Sequence, residues 1–203
     1  MSRGIPESRV MTGFAQPIGF APMGLQPGTY KIGPSNCTLH LRTSREGLAA
    51  KVGHDLLIGF DEWSGSITVD GDAAASVEVE IEMASLRVLE GTGGVAALTP
   101  DDSRDIVGTA TKLLDVAKHP TATFRSTRVS PVGTGATIDG DLTLRGATET
   151  VTLEVTQTRD SAWQASATVV QSTFGIKPYR AFFGALKLAD AVAVEVVVDL
   201  TAS

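Results

Sequence analysis

Hydrophobic and polar residues alternate with a period of two along most of this chain from Thr29 onward. Between residues 76 and 83 every second side chain is apolar, and serine or glutamate occupies the positions between them. This pattern is typical of a β-strand with one apolar and one solvated face. It recurs at 138–145, 151–156, 163–169 and 192–200. With 29–42, 47–61 and 121–129 included, we predict eight or more strands, mostly antiparallel because the connections are too short for crossovers.

One helix is predicted to interrupt the strands. Thr99 suits the N-cap position, Pro100 the first helical position, and two aspartates follow in the first turn. Apolar residues then recur at helical spacing until Pro120 ends the run. Because one helix cannot cover the apolar faces of eight strands, the sheet must cover itself, as a sandwich or as a closed barrel.

Composition bears on the choice between these two architectures. Phe, Trp and Tyr make up only 5% of the 203 residues, and the inward positions are mostly small aliphatic residues. Small side chains on long strands leave volume inside, and an empty apolar channel is costly unless a guest fills it. An eight-stranded barrel can hold one small ligand, but the flatter sandwich remains equally open on composition alone.

Charge and cysteine content exclude several classes of function. Hydrophobic residues make up 42% and charged residues 20%, which excludes a mainly disordered chain. The net charge of −6 argues against nucleic acid as a partner. The single cysteine, Cys37, cannot form an internal disulfide, and we interpret it as a buried thiol.

Residues 1–27 are rich in Gly and Pro and predict a flexible arm ahead of one domain at 28–203. The arm holds no apolar run typical of a secretory signal, and no segment has the length of a membrane helix. We therefore expect a cytoplasmic protein without an integral membrane segment.

Two stretches place polar groups beside the predicted channel. A regular strand over 47–60 would turn His54 to the apolar face, either as a satisfied core histidine or as a hydrogen-bonding group for a ligand. The stretch 174–184 holds four of the eleven aromatic residues together with Lys177 and Arg180. We expect it to cover one barrel end, with its rings inward and its cations at the rim, solvated or near a phosphate or phenolic head group.

From about residue 28 to 201 the chain resembles the YceI-like proteins. The matching pieces, in order, are 28–32 (GTYKI), 52–55 (VGHD), 63–67 (WSGSI), 119–124 (HPTATF), 140–146 (GDLTLRG) and 174–176 (FGI). The resemblance implies an all-β, lipocalin-like, eight-stranded antiparallel β-barrel whose apolar pore holds a long-chain isoprenoid lipid of polyprenyl or quinone type. It also implies that His54 is the second-strand histidine of the family and that Phe124 and Phe174 lie near the pore.

No motif in the sequence predicts catalysis. The three histidines lack the spacing of a metal motif, and there is no nucleophile elbow, phosphate loop or dinucleotide fingerprint. We therefore predict a carrier protein without cofactor or metal that could form a homodimer. An enzyme acting on an isoprenoid and a protein-interaction module with a structural barrel are the alternatives. The predicted ligand contacts are His54, Leu56, Ile58, Phe60, Trp63, Ile81, Met83, Phe124, Leu142, Leu144, Trp163, Phe174, Ile176, Lys177, Arg180, Phe182 and Phe183.

Overall fold

The computed structural model describes residues 27–70, 74–159 and 162–200. The helix α1 spans Pro100–Leu113. The strands are β1 (Gly28–Ile32), β2 (Cys37–Arg42), β3 (Arg45–Glu46), β4 (His54–Phe60), β5 (Trp63–Asp70), β6 (Ala74–Glu82), β7 (Leu86–Gly93), β8 (Thr121–Val132), β9 (Gly135–Leu144), β10 (Ala147–Arg159), β11 (Ala162–Val170), β12 (Arg180–Ala181), β13 (Leu186–Leu188) and β14 (Ala191–Asp199). The predicted arm at 1–27 lies outside the described residues except for Pro27.

Eleven of these strands form one antiparallel sheet in the order β1-β5-β6-β8-β9-β10-β11-β14-β2-β4-β7. The predicted all-β antiparallel fold with one helix is confirmed, with more strands than the eight that the family resemblance implies. The predicted strand at 29–42 is two strands separated by a turn at 33–36. The strands at 63–70 and 86–93 are not among those predicted, although residues 63–70 alternate with a period of two and only residues 86–93 do not.

The main sheet is strongly curled. Strands β1 and β2 are eight positions apart in the sheet order, which is about 38 Å in a flat sheet. Only residues 33–36 join them, and such a connection reaches at most about 18 Å. The two-residue connection from β4 to β5 also joins opposite parts of the sheet. The sheet therefore folds back on itself as an open barrel, and no backbone ladder joins β1 to β7 within the described strands.

Backbone hydrogen bonds at the connection between β4 and β5 extend the β4–β7 and β5–β6 ladders. The amide of Asp61 donates to the Ser85 carbonyl at 3.2 Å, and that of Glu82 donates to the Glu62 carbonyl at 3.0 Å. The helix packs against the core through residues that include Ile106 and Ala110. It begins at the predicted cap and ends earlier than Pro120.

A small second sheet lies beside the main one, in the order β12-β13-β3. Its strand β3 ends at Glu46, directly before the segment 47–61 where we expected one long strand. That expectation is wrong for residues 47–53, because Gly47 has a positive φ of 98° and residues 50–52 form a 3₁₀ turn. As a result Leu48, which would share the apolar face with His54 in a regular strand, is fully exposed.

Within the described segments, no helix combines the length and apolar character needed to cross a membrane.

Candidate ligand-binding site

The inner face of the main sheet encloses an apolar cavity of about 300 Å³. Every one of the eleven strands contributes at least one lining side chain, and the helix adds Ala110 and Leu113. The lining is almost entirely aliphatic or aromatic. A cavity of this size and character lies at the lower end of the range for small-molecule sites.

The polar groups of the lining are few and lie together. Apart from the indole nitrogens, polar side-chain atoms come from Thr43, Gln171 and Tyr179. The Thr43 hydroxyl accepts a hydrogen bond from the Leu56 amide at 3.2 Å, and the Gln171 Nε2 donates to the Ala189 carbonyl at 2.9 Å. Both side chains are therefore held in place by the surrounding backbone.

These three residues define one end of the cavity, which we call the polar end. Thr43 directly follows β2 and Gln171 directly follows β11, where β11, β14 and β2 lie side by side. Tyr179 is joined to β13 because its carbonyl accepts from the Leu188 amide at 3.0 Å. Since Tyr179 is also 40% exposed, the polar end reaches the protein surface.

The other end of the same three strands is apolar and buried. There Trp163 pairs with Val198, and Val198 pairs with Cys37. All three side chains are less than 9% exposed. Burial raises the pKa of the Cys37 thiol, which keeps it protonated. We call this the buried end, and the cavity therefore has one polar and one apolar terminus.

The structure gathers ten of the predicted ligand contacts around the cavity and leaves seven outside its lining. Those that line it are Ile58, Phe60, Trp63, Ile81, Met83, Phe124, Leu142, Leu144, Trp163 and Ile176. Those outside the lining are His54, Leu56, Phe174, Lys177, Arg180, Phe182 and Phe183. The contact of any of these residues with a ligand stays a prediction.

His54 lies at the first position of β4, beyond the reach of the cavity. Its Nε2 is 2.8 Å from the Ala96 carbonyl, and its ring lies so close to Gly94 that a Cβ there would be 2.3 Å from Nε2. The expected alternation along β4 holds for Leu56 and Ile58, which are buried. At His54, however, the loop before the helix covers that face, so the histidine bonds the loop rather than facing the cavity.

The stretch 174–184 is divided between interior and surface. Phe174 and Ile176 are 2% and 3% exposed, as expected for rings and side chains that cover a barrel end. Phe182 and Phe183 point into solvent, which corrects our expectation that the rings turn inward. Both adopt a left-handed backbone, with φ of 50° and 55°, and this turns the chain outward.

The residues of the polar end were missed by the sequence reasoning, although a signal for them exists. Thr43 continues the inward parity of Cys37, Leu39 and Leu41 one position beyond β2. Gln171 does the same for the inward residues of β11. Polar residues at the next inward position after an alternating strand therefore indicate the mouth of such a cavity.

The capping residues of the helix include a carboxylate, Asp102, whose pKa is lowered. The Thr99 hydroxyl and amide donate to Asp102 Oδ2 at 2.6 Å and 2.9 Å, and these hydrogen bonds hold the pKa of Asp102 below its usual value. The Asp102 amide donates back to the Thr99 hydroxyl at 3.1 Å. The described residues contain no cluster of three or more His, Cys, Asp or Glu side chains that could hold a metal ion.

Comparison with known sequences decides the family. The family model of the YceI-like domain matches residues 30–200. The chain belongs to the YceI-like family. A UPF0312 protein of Pseudomonas aeruginosa is 34% identical over 138 residues, covering 62% of this chain and 66% of the relative. A UPF0312 protein of Yersinia pestis is 35% identical over 104 residues, covering 51% of this chain and 50% of the relative.

These matches cover about two thirds of the length of the Pseudomonas relative and half of the Yersinia relative. Among solved structures, BcnA of Burkholderia cenocepacia superposes with a TM-score of 0.59 at 18% identity, over 80% of this chain and 94% of BcnA. A polyisoprenoid binding domain from Saccharophagus degradans gives a TM-score of 0.50 at 14% identity, over 85% of this chain and 97% of that domain. At these identities the likeness concerns the fold.

Proposed function

We propose that this YceI-like protein is a non-catalytic carrier of a long-chain isoprenoid lipid, of polyprenyl or quinone type, held in the cavity. The observation that carries the proposal is the lining, which is apolar over its length and polar at one end only. Each CH₂ group moved from water into such surroundings contributes about 0.8 kcal/mol, so a hydrocarbon chain needs no polar partner to bind. Membership of the YceI-like family and the fold shared with the polyisoprenoid binding domain of Saccharophagus degradans support this ligand class.

The proposed orientation places the lipid head group at the polar end and the tail toward Trp163. The Thr43 hydroxyl, the Gln171 amide and the Tyr179 hydroxyl can donate to a carbonyl or accept from a hydroxyl there. The buried end offers the tail the apolar surface of Trp163 and Val198. Lys177 and Arg180, exposed on either side of Tyr179 in the sequence, remain proposed contacts for a charged head group.

The alternatives lack an observation that favours them. His54, the residue on which an enzyme hypothesis would rest, lies outside the cavity and bonds a loop carbonyl. A partner module acting through the arm would rest on residues outside the described part. The cytoplasmic location and a homodimer stay predictions, which cell fractionation and gel filtration measure.

The test is organic extraction of protein purified from its native cells, followed by mass spectrometry. We expect a long-chain isoprenoid in stoichiometric amount. The variant Ala167→Trp, which places a large ring in the cavity, should lose the lipid. Ser166→Trp is the matched control, because this exposed neighbour on β11 faces away from the cavity. Repeated extractions without stoichiometric lipid, or equal lipid in both variants, would overturn the proposal.

A further inference from the structure

Two neighbouring loops carry exposed apolar side chains next to the polar end of the cavity. Leu48 and Phe183 are fully exposed, Phe182 is 63% exposed and Val52 is 43% exposed. We call these four residues the apolar tip. The two loops are in direct contact, because the Ala49 amide donates to the Ala185 carbonyl at 2.9 Å. Clusters of exposed apolar side chains on a soluble domain mark interaction surfaces.

The backbone of the tip holds its two rings away from the protein. Phe182 and Phe183 have positive φ angles of 50° and 55°, a region that residues with a side chain rarely adopt. Strained backbone of this kind is found mostly where function requires it. Packing does not offset this strain, because the Phe183 ring is exposed to solvent and is not buried in the core.

The charge around the tip is positive, although the chain as a whole carries a net charge of −6. Lys51, Lys177 and Arg180 are exposed, and no ion pair engages them within the described residues. The nearby carboxylates are engaged in contacts of their own. Glu46 pairs with Lys187 at 2.9 Å, and Asp190 accepts from the Ser172 amide at 2.8 Å.

The tip is continuous with the cavity. Strand β13 carries Leu186 next to the tip and Leu188 in the cavity lining. The Leu188 amide donates to the carbonyl of Tyr179, which also lines the cavity. A surface that receives the tip would therefore face the polar end of the cavity at the same time.

We propose that the apolar tip, with Lys51, Lys177 and Arg180, docks the protein on an anionic lipid surface. The rings of Phe182 and Phe183 enter the interfacial layer, and the three cations lie over the lipid phosphates. Four apolar side chains are too few for a stable protein interface, which buries about 20 to 30 residues on each side. The docking proposal depends only on these surface residues. A role of docking in loading or releasing an isoprenoid rests in addition on the proposed carrier function.

The test measures binding of the full chain to vesicles of phosphatidylcholine alone and of phosphatidylcholine with phosphatidylglycerol. We expect binding to the anionic vesicles, weakened by salt. The double variant Phe182→Gly/Phe183→Gly removes the rings while glycine favours the positive φ angles, so its fold is retained. It should bind at least about tenfold more weakly. The control Val95→Gly/Val132→Gly removes two exposed apolar side chains elsewhere and should bind like the wild type.

A second pair of variants tests the charge. Lys177→Gln/Arg180→Gln should weaken binding to anionic vesicles about fivefold for each cation removed, and Lys31→Gln/Lys112→Gln should leave it unchanged. The proposal is wrong if the wild type does not bind anionic vesicles, or if the glycine variant binds them with the same affinity as the wild type. It is also wrong if the glycine variant changes only the oligomeric state, since the tip would then contact a second copy.

Lipid extraction separates this proposal from the carrier function. Vesicle binding by a protein that yields no isoprenoid supports docking and overturns the carrier. A protein that retains its isoprenoid but ignores vesicles supports the carrier and overturns docking.

Discussion

Trp163 lies directly opposite Val198 in the register of β11 and β14, and its indole Nε1 has no hydrogen-bond partner within the described residues. The side chain is 3% exposed, so the N–H group is buried without compensation. An unsatisfied buried donor of this kind costs about 1–3 kcal/mol. The ring therefore stabilises the buried end through its volume and contacts, not through its nitrogen.

The first prediction concerns the stability of Trp163 variants. Trp163→Ala should lower the free energy of unfolding by about 3–5 kcal/mol, because it removes a large buried ring. Trp163→Phe should cost less than about 1.5 kcal/mol, since losing the unpaired N–H offsets part of the lost contact area. Urea unfolding of both variants measures the difference. Equal losses would mean that the indole nitrogen has a partner in solution.

The second prediction concerns the head-group end of the cavity. Gln171→Leu should weaken binding of a long-chain quinone by about two- to tenfold, the value of one hydrogen bond, and leave binding of a head-less isoprenoid hydrocarbon unchanged. The control is Gln164→Leu, an exposed glutamine on β11 outside the cavity lining. Fluorescence titration measures the dissociation constant of each ligand for the variants and the wild type. If the variant binds both ligands more weakly by the same factor, the head group does not contact Gln171.

The third prediction concerns the start of the helix. Thr99→Ala should lower the stability of the protein by about 1 kcal/mol at neutral pH, because it removes the N-cap side chain. Chemical unfolding measures this loss. A loss within error of zero would show that packing of the helix, rather than its cap, sets its stability.

The fourth prediction concerns the pH dependence contributed by Asp102. Since the fold lowers the pKa of this carboxyl, its contribution is complete above the pKa of the unfolded chain and disappears as the pH falls through the lower, folded value. Asp102→Asn should therefore flatten this acid limb of the stability profile. Unfolding curves from neutral to acidic pH compare the two proteins. If the loss of stability at acidic pH is the same in both proteins, the Asp102 carboxyl does not contribute to it.

The fifth prediction concerns the Cys37 thiol. Because burial raises its pKa, the fold favours the protonated form, and this contribution is complete below the unfolded pKa and is lost as the pH rises through the folded one. Native protein should react with a thiol reagent far more slowly than unfolded protein. Cys37→Ala should remove the alkaline loss of stability. Rapid modification under native conditions would mean that the buried end opens in solution.

Several features follow from the sequence because they depend on local periodicity. The alternation over 76–83 determines which side chains of β6 face inward, and the same holds for β9, β11 and β14, so Ile81, Leu142 and Trp163 could be assigned to the interior in advance. The helix start follows from Thr99 and Pro100, because capping involves only neighbouring residues. The family could be recognised from short segments in a fixed order, and the match over residues 30–200 confirms it.

The tertiary structure decided what these periodic elements enclose. Which strands meet across the curled sheet depends on contacts between residues far apart in sequence, and no local pattern encodes them. His54 has the parity of an interior residue, but the loop before the helix covers its position. Phe182 and Phe183 have the character of core residues, yet a left-handed backbone turns them to solvent. Periodicity thus determined the side of the sheet on which a residue lies, whereas packing of distant segments decided whether that side is cavity, core or surface.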